Sequence, residues 1–549
     1  SNRIGNEEGQ LSPSDVSYDL ASGLKMYYTM ATNFNEMQQI LPEIEAAKEL
    51  VKTRRVRKLK RGMPIKDAIT GEDVTTAGID SRAYGRLKDY FDMVVYGKRK
   101  KQEGAISLFG KEVTVEQVAD SLAQFGSLRV LALNHFAGVS NLTFGTLMNA
   151  TEAHAQQFFT KKDWARAKGI YLGYTGADTM GGAGIIADTL SRTPKSKLGQ
   201  INELFNVLQH FDEYGRRFSP RQMGLRLNQG ALYFMMSSGE HMIQSQLAMA
   251  MMINKKFETS KGKTNLWDAY SVVDGKLVLD PEVAEQFSEQ DRILFAEKIQ
   301  AVFQRIHGIY NEKDKAAIQQ YAAGRWAMQF RKWLRPGFRR RYEGMEKLFY
   351  SKDSDRKGPN WNERTESYSE GVYVTAVKFI GQMGRDFKRL QFLTLTQRYK
   401  ELEPWQQANV RRGIGEVASF YLLTVLGSVF FGAEDDPEDR SPGDWYALYS
   451  IKRVQSEIAF YNPFGSSFYE ILRTPAANLT TLEAYSKLLS QAWSDSWSII
   501  LGGDVERYKR KTGKYEKGDA KINKYIRNVL PFKELDTDPK DKIKFFDLK

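Results

Sequence analysis

The densest group of chemistry-bearing side chains runs from Arg325 to Tyr342, RWAMQFRKWLRPGFRRRY. It holds seven basic residues and no acidic one: Arg325, Arg331, Lys332, Arg335, Arg339, Arg340 and Arg341. Trp326, Phe330, Trp333, Phe338 and Tyr342 are interleaved with them. Guanidinium groups clamp phosphates, and aromatic rings stack on bases or sit at a lipid interface. The block therefore fits contact with nucleic acid, with an anionic membrane or with an acidic partner. Trp326, Phe330 and Trp333 also fall at helical spacing, so a helix packed by its aromatics with a solvated basic face fits as well. A second basic group, Arg507, Lys509, Arg510 and Lys511, has Tyr508 among it and Lys514, Tyr515 and Lys517 beyond. It can grip a phosphate backbone without reading sequence, or be plain lysine-rich surface.

The second feature is Gly413 to Ala433, GIGEVASFYLLTVLGSVFFGA. From Val417 onward it carries no charge, and Val417, Phe420, Leu422, Leu423, Leu426, Phe430 and Phe431 supply its apolar side chains. As a helix this part would span about 25 Å, borderline for a bilayer core. It reads either as a membrane-inserting segment or as a buried helix of a large core. Val130–Ala150 and Gly169–Ala187 are weaker relatives, with glycines that allow close helix approach. Met235, Met236, Met242, Met249, Met251 and Met252 form adaptable apolar surface, either an oligomer interface or core filling.

Recognisable catalytic patterns are missing. The sequence contains no GxxxxGK[ST], HExxH or GxSxG. His135, His154, His210, His241 and His307 are scattered, without metal-ligand spacing. Gly182-Ala183-Gly184 with Ala187 loosely echoes a dinucleotide fingerprint, but no convincing parallel strand precedes it. There is no cysteine, which removes disulfides, thiolate metal sites and thiol nucleophiles. The expectation is a structural or binding protein rather than an enzyme, with no cofactor and no metal.

Composition bounds the rest. The chain has 549 residues, 42% hydrophobic, 27% charged and 12% aromatic, which is globular and long enough for several domains. Its net charge of +13, from 80 basic against 67 acidic side chains, favours anionic partners. Residue 1 is Ser, which points to tag removal or cleavage from a longer precursor. The stretch SNRIGNEEGQLSPSD is polar and unlike a signal peptide.

The elements that must carry these features are mostly helices. Residues 1–33 read as an extended arm and 34–102 as a basic helical region. There a helix starts near Pro42, and the seven cations between Lys52 and Arg61 suit its C-terminal end. A second helix fits Arg82–Tyr96. Residues 103–260 form an apolar helical region: a short hairpin at Ala105–Val115, helix over Thr114–Phe159, helix in parts of Lys161–Arg192, and the methionine-rich Arg221–Phe257. Residues 261–285 hold a β-hairpin, where YSVVDGKLVL (Tyr270–Leu279) turns at Asp274-Gly275. Region 286–433 opens at Ser288, with Asp291 placed for a capping pattern and Phe295, Ile299, Val302 and Ile306 as the stripe. Further helices fit Asp314–Leu334, Ser369–Glu401 and Gln406–Ala433. Residues 434–549 begin with an acidic loop and end in a basic tail. The fold class is mainly α, an elongated multi-helix assembly with one or two small β-hairpins.

Several blocks together resemble internal virion proteins of tailed phages, especially the cargo or ejection proteins of crAss-like and other short-tailed phages. Those residues are GALYFMMSSGEHMIQSQLAMAMM (Gly230–Met252), LWDAYSVVDGKLVL (Leu266–Leu279), AAGRWAMQFRKWLRPGFRRRYE (Ala322–Glu343), the Gly413–Ala433 segment and TGKYEKGDAKINKYIRNVLPF (Thr512–Phe532). The resemblance implies a helical protein held in the capsid or tail interior, often cut from a large precursor and delivered with the genome. Its partners would be other virion proteins and copies of itself, in a ring or another oligomer. Basic surface would face DNA, apolar helices would meet the host envelope with its anionic membrane, and after delivery the protein would sit in that envelope or in the cytoplasm. No residue role is carried over from it. Two other readings stay open: a nucleic-acid-binding accessory subunit of a virion-carried polymerase or replication complex, and a membrane-active channel former.

Overall fold

The computed structural model describes residues 134–176, 195–208, 234–308, 334–344, 370–388, 395–431, 441–461, 479–501 and 520–529. It also describes 82–94, 105–108, 111–114 and short pieces at 35, 38–39, 41–46, 48–49, 56–57, 59–60, 63–64, 75–76, 321, 324, 361–362 and 367–368. The chain divides into two units: Ser1–Gln102 with Ala316–Tyr321, and Glu103–Lys315 with Ala322–Lys549.

In the first unit, residues 41–46 are helical and Ile44 is buried. Four two-residue strands follow: β1 (Val56–Arg57), β2 (Leu59–Lys60), β3 (Met63–Pro64) and β4 (Thr75–Thr76). Strand β1 pairs antiparallel with β4, and β2 with β3. Part of the basic run Lys52–Arg61 is thus extended and not the end of a helix. A helix would stack like charges at i, i+4, whereas extended backbone sends neighbours to opposite faces. Helix α1 (Arg82–Val94) matches the expected amphipathic segment, and the Lys48 ammonium lies 5.7 Å from the Phe91 ring centroid.

The second unit opens with the hairpin β5 (Ala105–Leu108) and β6 (Lys111–Thr114), in the register Ala105↔Thr114. Helix α2 (His135–Ala155) is capped by Asn134, whose side chain accepts from the Ala137 N–H. It ends at Gln156, which takes the left-handed conformation. Helices α3 (Lys161–Gly176), α4 (Lys197–Leu204) and α5 (Phe234–Asn254) follow. Helix α5 packs on both α2 and α3. Its Leu247, Met249, Met251 and Met252 are buried in the main apolar cluster beside Phe159, Ile201 and Phe205, so these methionines fill core.

Two hairpins are set on this core. Strands β7 (Lys256–Thr259) and β8 (Gly262–Asn265) form the first, which the sequence pattern left inside a helix and a loop. The one-turn helix α6 (Leu266–Ala269) leads to β9 (Tyr270–Val273) and β10 (Lys276–Leu279), paired Lys276↔Val273 to Leu279↔Tyr270 as the Asp-Gly turn requires. Asp274 and Gly275 have φ of 50° and 76°, the positive values of that turn. After α7 (Pro281–Ala284), helix α8 (Glu289–His307) begins with a full capping box between Ser288 and Asp291. Its Phe295, Ile299, Val302 and Ile306 are buried, as the stripe predicts.

Helix α9 (Leu334–Tyr342) carries the end of the aromatic–basic block. After the short pair β11 (Trp361–Asn362) and β12 (Ser367–Tyr368) come α10 (Val372–Lys388), α11 (Leu395–Glu401), α12 (Pro404–Phe431), α13 (Pro442–Phe460), α14 (Leu479–Ile500) and α15 (Lys521–Val529). Helix α12 packs against α2, α10 and α13, while α9 packs against α8 and α10. Helix α2 is therefore shared, with one side in the apolar core and the other facing α12. The fold is mainly α with small antiparallel hairpins.

Candidate functional site

The charged side chains that the fold brings together lie inside the second unit, where α2, α8, α9 and α12 meet. Glu152 projects from α2 and is 1% exposed; Arg412 projects from α12 and is fully buried. Arg412 Nε donates to both Glu152 oxygens, at 3.1 and 3.0 Å, and its Nη2 donates to Oε1 as well. Arg412 Nη1 donates to Asn409 Oδ1 at 2.7 Å, one helical turn back.

Glu416 stands four residues after Arg412 on the same face of α12, where helix geometry puts i and i+4 together. It receives a two-pronged bond from Arg341 on α9, Nε to Oε2 at 3.1 Å and Nη2 to Oε1 at 3.0 Å. The Tyr373 hydroxyl donates to Oε2 at 3.1 Å. The Arg341 guanidinium also stacks 3.9 Å from the centre of the Tyr461 ring. Arg340, beside it on α9, sends Nη2 between the carboxylates, 3.7 Å from Glu152 and 3.8 Å from Glu416, and turns Nη1 to Met148 Sδ at 3.3 Å.

A smaller polar cluster adjoins. Asn409 Nδ2 donates to the Glu370 carbonyl at 2.9 Å and to Thr375 Oγ1 at 3.1 Å, and the Thr375 hydroxyl donates to Glu370 Oε2. On the other side, His307 Nε2 meets Asn149 Oδ1 at 3.0 Å, and Asn149 Nδ2 donates to the Ile243 carbonyl.

Electrostatics fix the protonation states. Burial pushes the Glu152 carboxyl up, but Arg412, its hydrogen bonds, Arg340 and Arg305 outweigh this and hold it down at about 2. Glu416 is likewise held below the usual carboxylate range by Arg341 and Arg340 against its burial. Burial, helped by Arg340, pushes His307 down to about 3, so its imidazole is neutral. Both carboxylates are thus ionised and each is committed to a guanidinium. The ion pairs lock α2, α9 and α12 together, and His307 bonds α8 to α2.

The sequence-predicted basic residues divide sharply. Arg335 and Arg339 are exposed, and Arg339 Nε donates to Glu343 at 3.0 Å. Arg340 and Arg341 are buried, 3% and 2% exposed, and turned inward to carboxylates and away from any surface anion. Three consecutive arginines on a helix point about 100° apart, so one helix cannot present all three to the same partner. Arg325, Arg331, Lys332, Arg507, Lys509, Arg510 and Lys511 lie outside the described residues, as does Gly182-Ala183-Gly184.

The apolar segment is not buried throughout. Among the described residues no helix is long and apolar enough to cross a membrane. Helix α12 buries Ala408, Asn409, Val410, Arg412 and Glu416 early. Ile414, Val417, Tyr421 and Val425, at i, i+3, i+7 and i+11, form an exposed stripe, with Tyr421 66% exposed and Leu422 beside it. Phe420, Leu423 and Leu426 are half-buried, and the side chains of Phe430 and Phe431 lie outside the described residues. Helix α14 has a similar face: Leu489, Trp493, Trp497 and Ile500 are exposed, and the two tryptophans stand edge-to-face at 6.1 Å.

Sequence reasoning missed Glu152, Glu416, Arg412 and Arg305. A signal was present: Glu416 is the one charged residue between Arg412 and Glu434, and Glu152 ends a long charge-free run. A lone charge in an apolar helix needs a buried partner. Among the described residues no group of three His, Asp or Glu is arranged to hold a metal. No family model, curated protein or solved structure matches the chain.

Proposed function

We propose that the chain is a structural subunit of a tailed-phage virion, an ejection or cargo protein packaged in the capsid or tail and delivered with the genome. The observation that carries this reading is the two-sided build of α12. One face is fixed rigidly through Arg412 and Glu416, while the other presents Ile414, Val417, Tyr421 and Val425 to water. An exposed apolar stripe on a rigid backing suits a surface covered by another subunit, and large patches of this kind mark interaction sites. The α14 face, with Trp493 and Trp497, supports the same reading. Its partners would be copies of this chain and other virion proteins, with DNA met through exposed basic side chains such as Arg335.

The test is to locate the protein in a purified particle. Quantitative mass spectrometry of intact virions and of genome-emptied ghosts should find it in fixed copy number, and depleted from the ghosts. A chain found only in infected-cell cytosol, absent from particles, overturns the proposal.

A further inference from the structure

The buried network is not balanced. Four guanidiniums, Arg305, Arg340, Arg341 and Arg412, converge on two carboxylates, Glu152 and Glu416. Arg412 and Arg341 occupy both carboxylates with multidentate bonds. Arg340 Nη2 is left too far from either for a hydrogen bond, and its Nε has no acceptor. Arg305 on α8 fares worse: neither Nη1 nor Nη2 has an acceptor, and both are sealed from solvent. Helices α8 and α9 pack together, Arg340 disfavours the charge on Arg305, and Glu152 feels both.

This is a costly arrangement. A sealed cation needs a partner, and a guanidinium does not shed its proton near neutral pH to escape the cost. No neighbouring group accepts their free hydrogens. His307 is neutral, and Glu343, half-buried and close enough to favour the Arg305 charge, is bonded to Arg339 and takes no hydrogen bond from Arg305. Among the described residues no other carboxylate is bonded to either arginine. The unmatched donors are four N–H-bearing nitrogens on two planar groups, the donor set that receives a small anion.

We propose that Arg305 and Arg340 form an internal anion site that takes one small inorganic anion, of the chemistry of chloride or phosphate. The ion completes the charge balance of the network and ties α8 to α9. Its role is structural, so its loss loosens the junction of α2, α8, α9 and α12.

The test is thermal unfolding of the full chain at constant ionic strength, with chloride or phosphate titrated against a bulky organic sulfonate. The expected result is a saturable rise of a few degrees with one of the two anions, and the anion that gives it identifies the ligand. Arg305→Met should abolish that rise and unfold at a higher temperature than the unaltered chain in sulfonate alone, because an unpaired charge has been removed. Arg335→Met, at an exposed arginine of the same helix, should keep the rise. A flat response to both anions overturns the proposal, as does a rise that persists in Arg305→Met. A uniform loss of stability in Arg305→Met in every buffer also overturns it, since that would mean a carboxylate of the chain fills the place. If Arg305→Met does not fold, crystals of the unaltered chain grown in bromide or in phosphate decide. Density between Arg305 and Arg340 supports the site, and its absence in both overturns it.

Discussion

Glu152 of α2 and Arg412 of α12 form a fully buried ion pair across 260 residues of chain. The pair joins a helix of the apolar core to a helix whose outer face is exposed. Breaking a buried pair leaves an uncompensated charge, whereas replacing both partners by apolar groups removes the cost of burying either.

Arg412→Met alone should therefore destabilise the second unit by about 3–5 kcal/mol, read by urea unfolding. Glu152→Met with Arg412→Met should recover part of this loss. A double variant as unstable as the sum of the singles would show that the two residues do not act on one another.

Acid should act in two windows. Burial holds His241 down at about 4 and His307 at about 3, below the ordinary 6.5. The unfolded chain takes up these protons first, so their contribution is complete above 6.5 and fades as pH falls toward 4 and then 3. Glu152, at about 2 against an ordinary 4.5, adds its loss between 4.5 and 2. Unfolding free energy against pH should be flat above 6.5 with respect to these groups and should fall below it. His241→Gln should make the upper window shallower.

The arginines of α9 should separate in function. Arg335→Glu should leave the thermal midpoint nearly unchanged, since its side chain is exposed. If the helix meets DNA, that variant lowers the slope of log affinity against log salt by about 1–2 in an electrophoretic series. Arg341→Glu should instead unfold the protein, because it sets two carboxylates against each other inside the core.

Tyr421→Lys with Val425→Lys places charge on the exposed stripe of α12. Assembly measured by light scattering should weaken while the thermal midpoint of the dispersed chain stays put. An unchanged assembly state would remove α12 from the interface.

Gly371 tests close approach between α9 and α10. A methyl group there would lie 2.6 Å from the Arg341 carbonyl oxygen and 2.7 Å from the Glu343 nitrogen, both backbone atoms that cannot swing aside. Gly371→Ala should cost more stability than Gly145→Ala, whose added carbon meets only the side chain of Ile243. Paired unfolding curves of the two variants would check the order.

Local structure was readable where one short pattern suffices. Asp274-Gly275 between β-branched runs specified its hairpin, and Ser288 with Asp291 specified its cap. The Lys256–Asn265 hairpin escaped because Glu258, Thr259, Lys261 and Lys263 lack the alternation that marks a strand. The network escaped for another reason. Arg340 looks the same in sequence whether it meets a phosphate or Glu416, and only the packing of α9 between α8 and α10 decides. Composition could count the arginines but could not orient them.

The separation of Glu152 from its partner bears on how the protein is made. A ribosome extends the chain by roughly 5–20 residues per second, so α2 is complete well before α12 emerges. Until then Glu152, Arg305 and Arg340 have no Arg412 or Glu416 to meet. The junction of the four helices must wait for the late part of the chain, and a product that stops before residue 412 should stay unfinished and open to proteases.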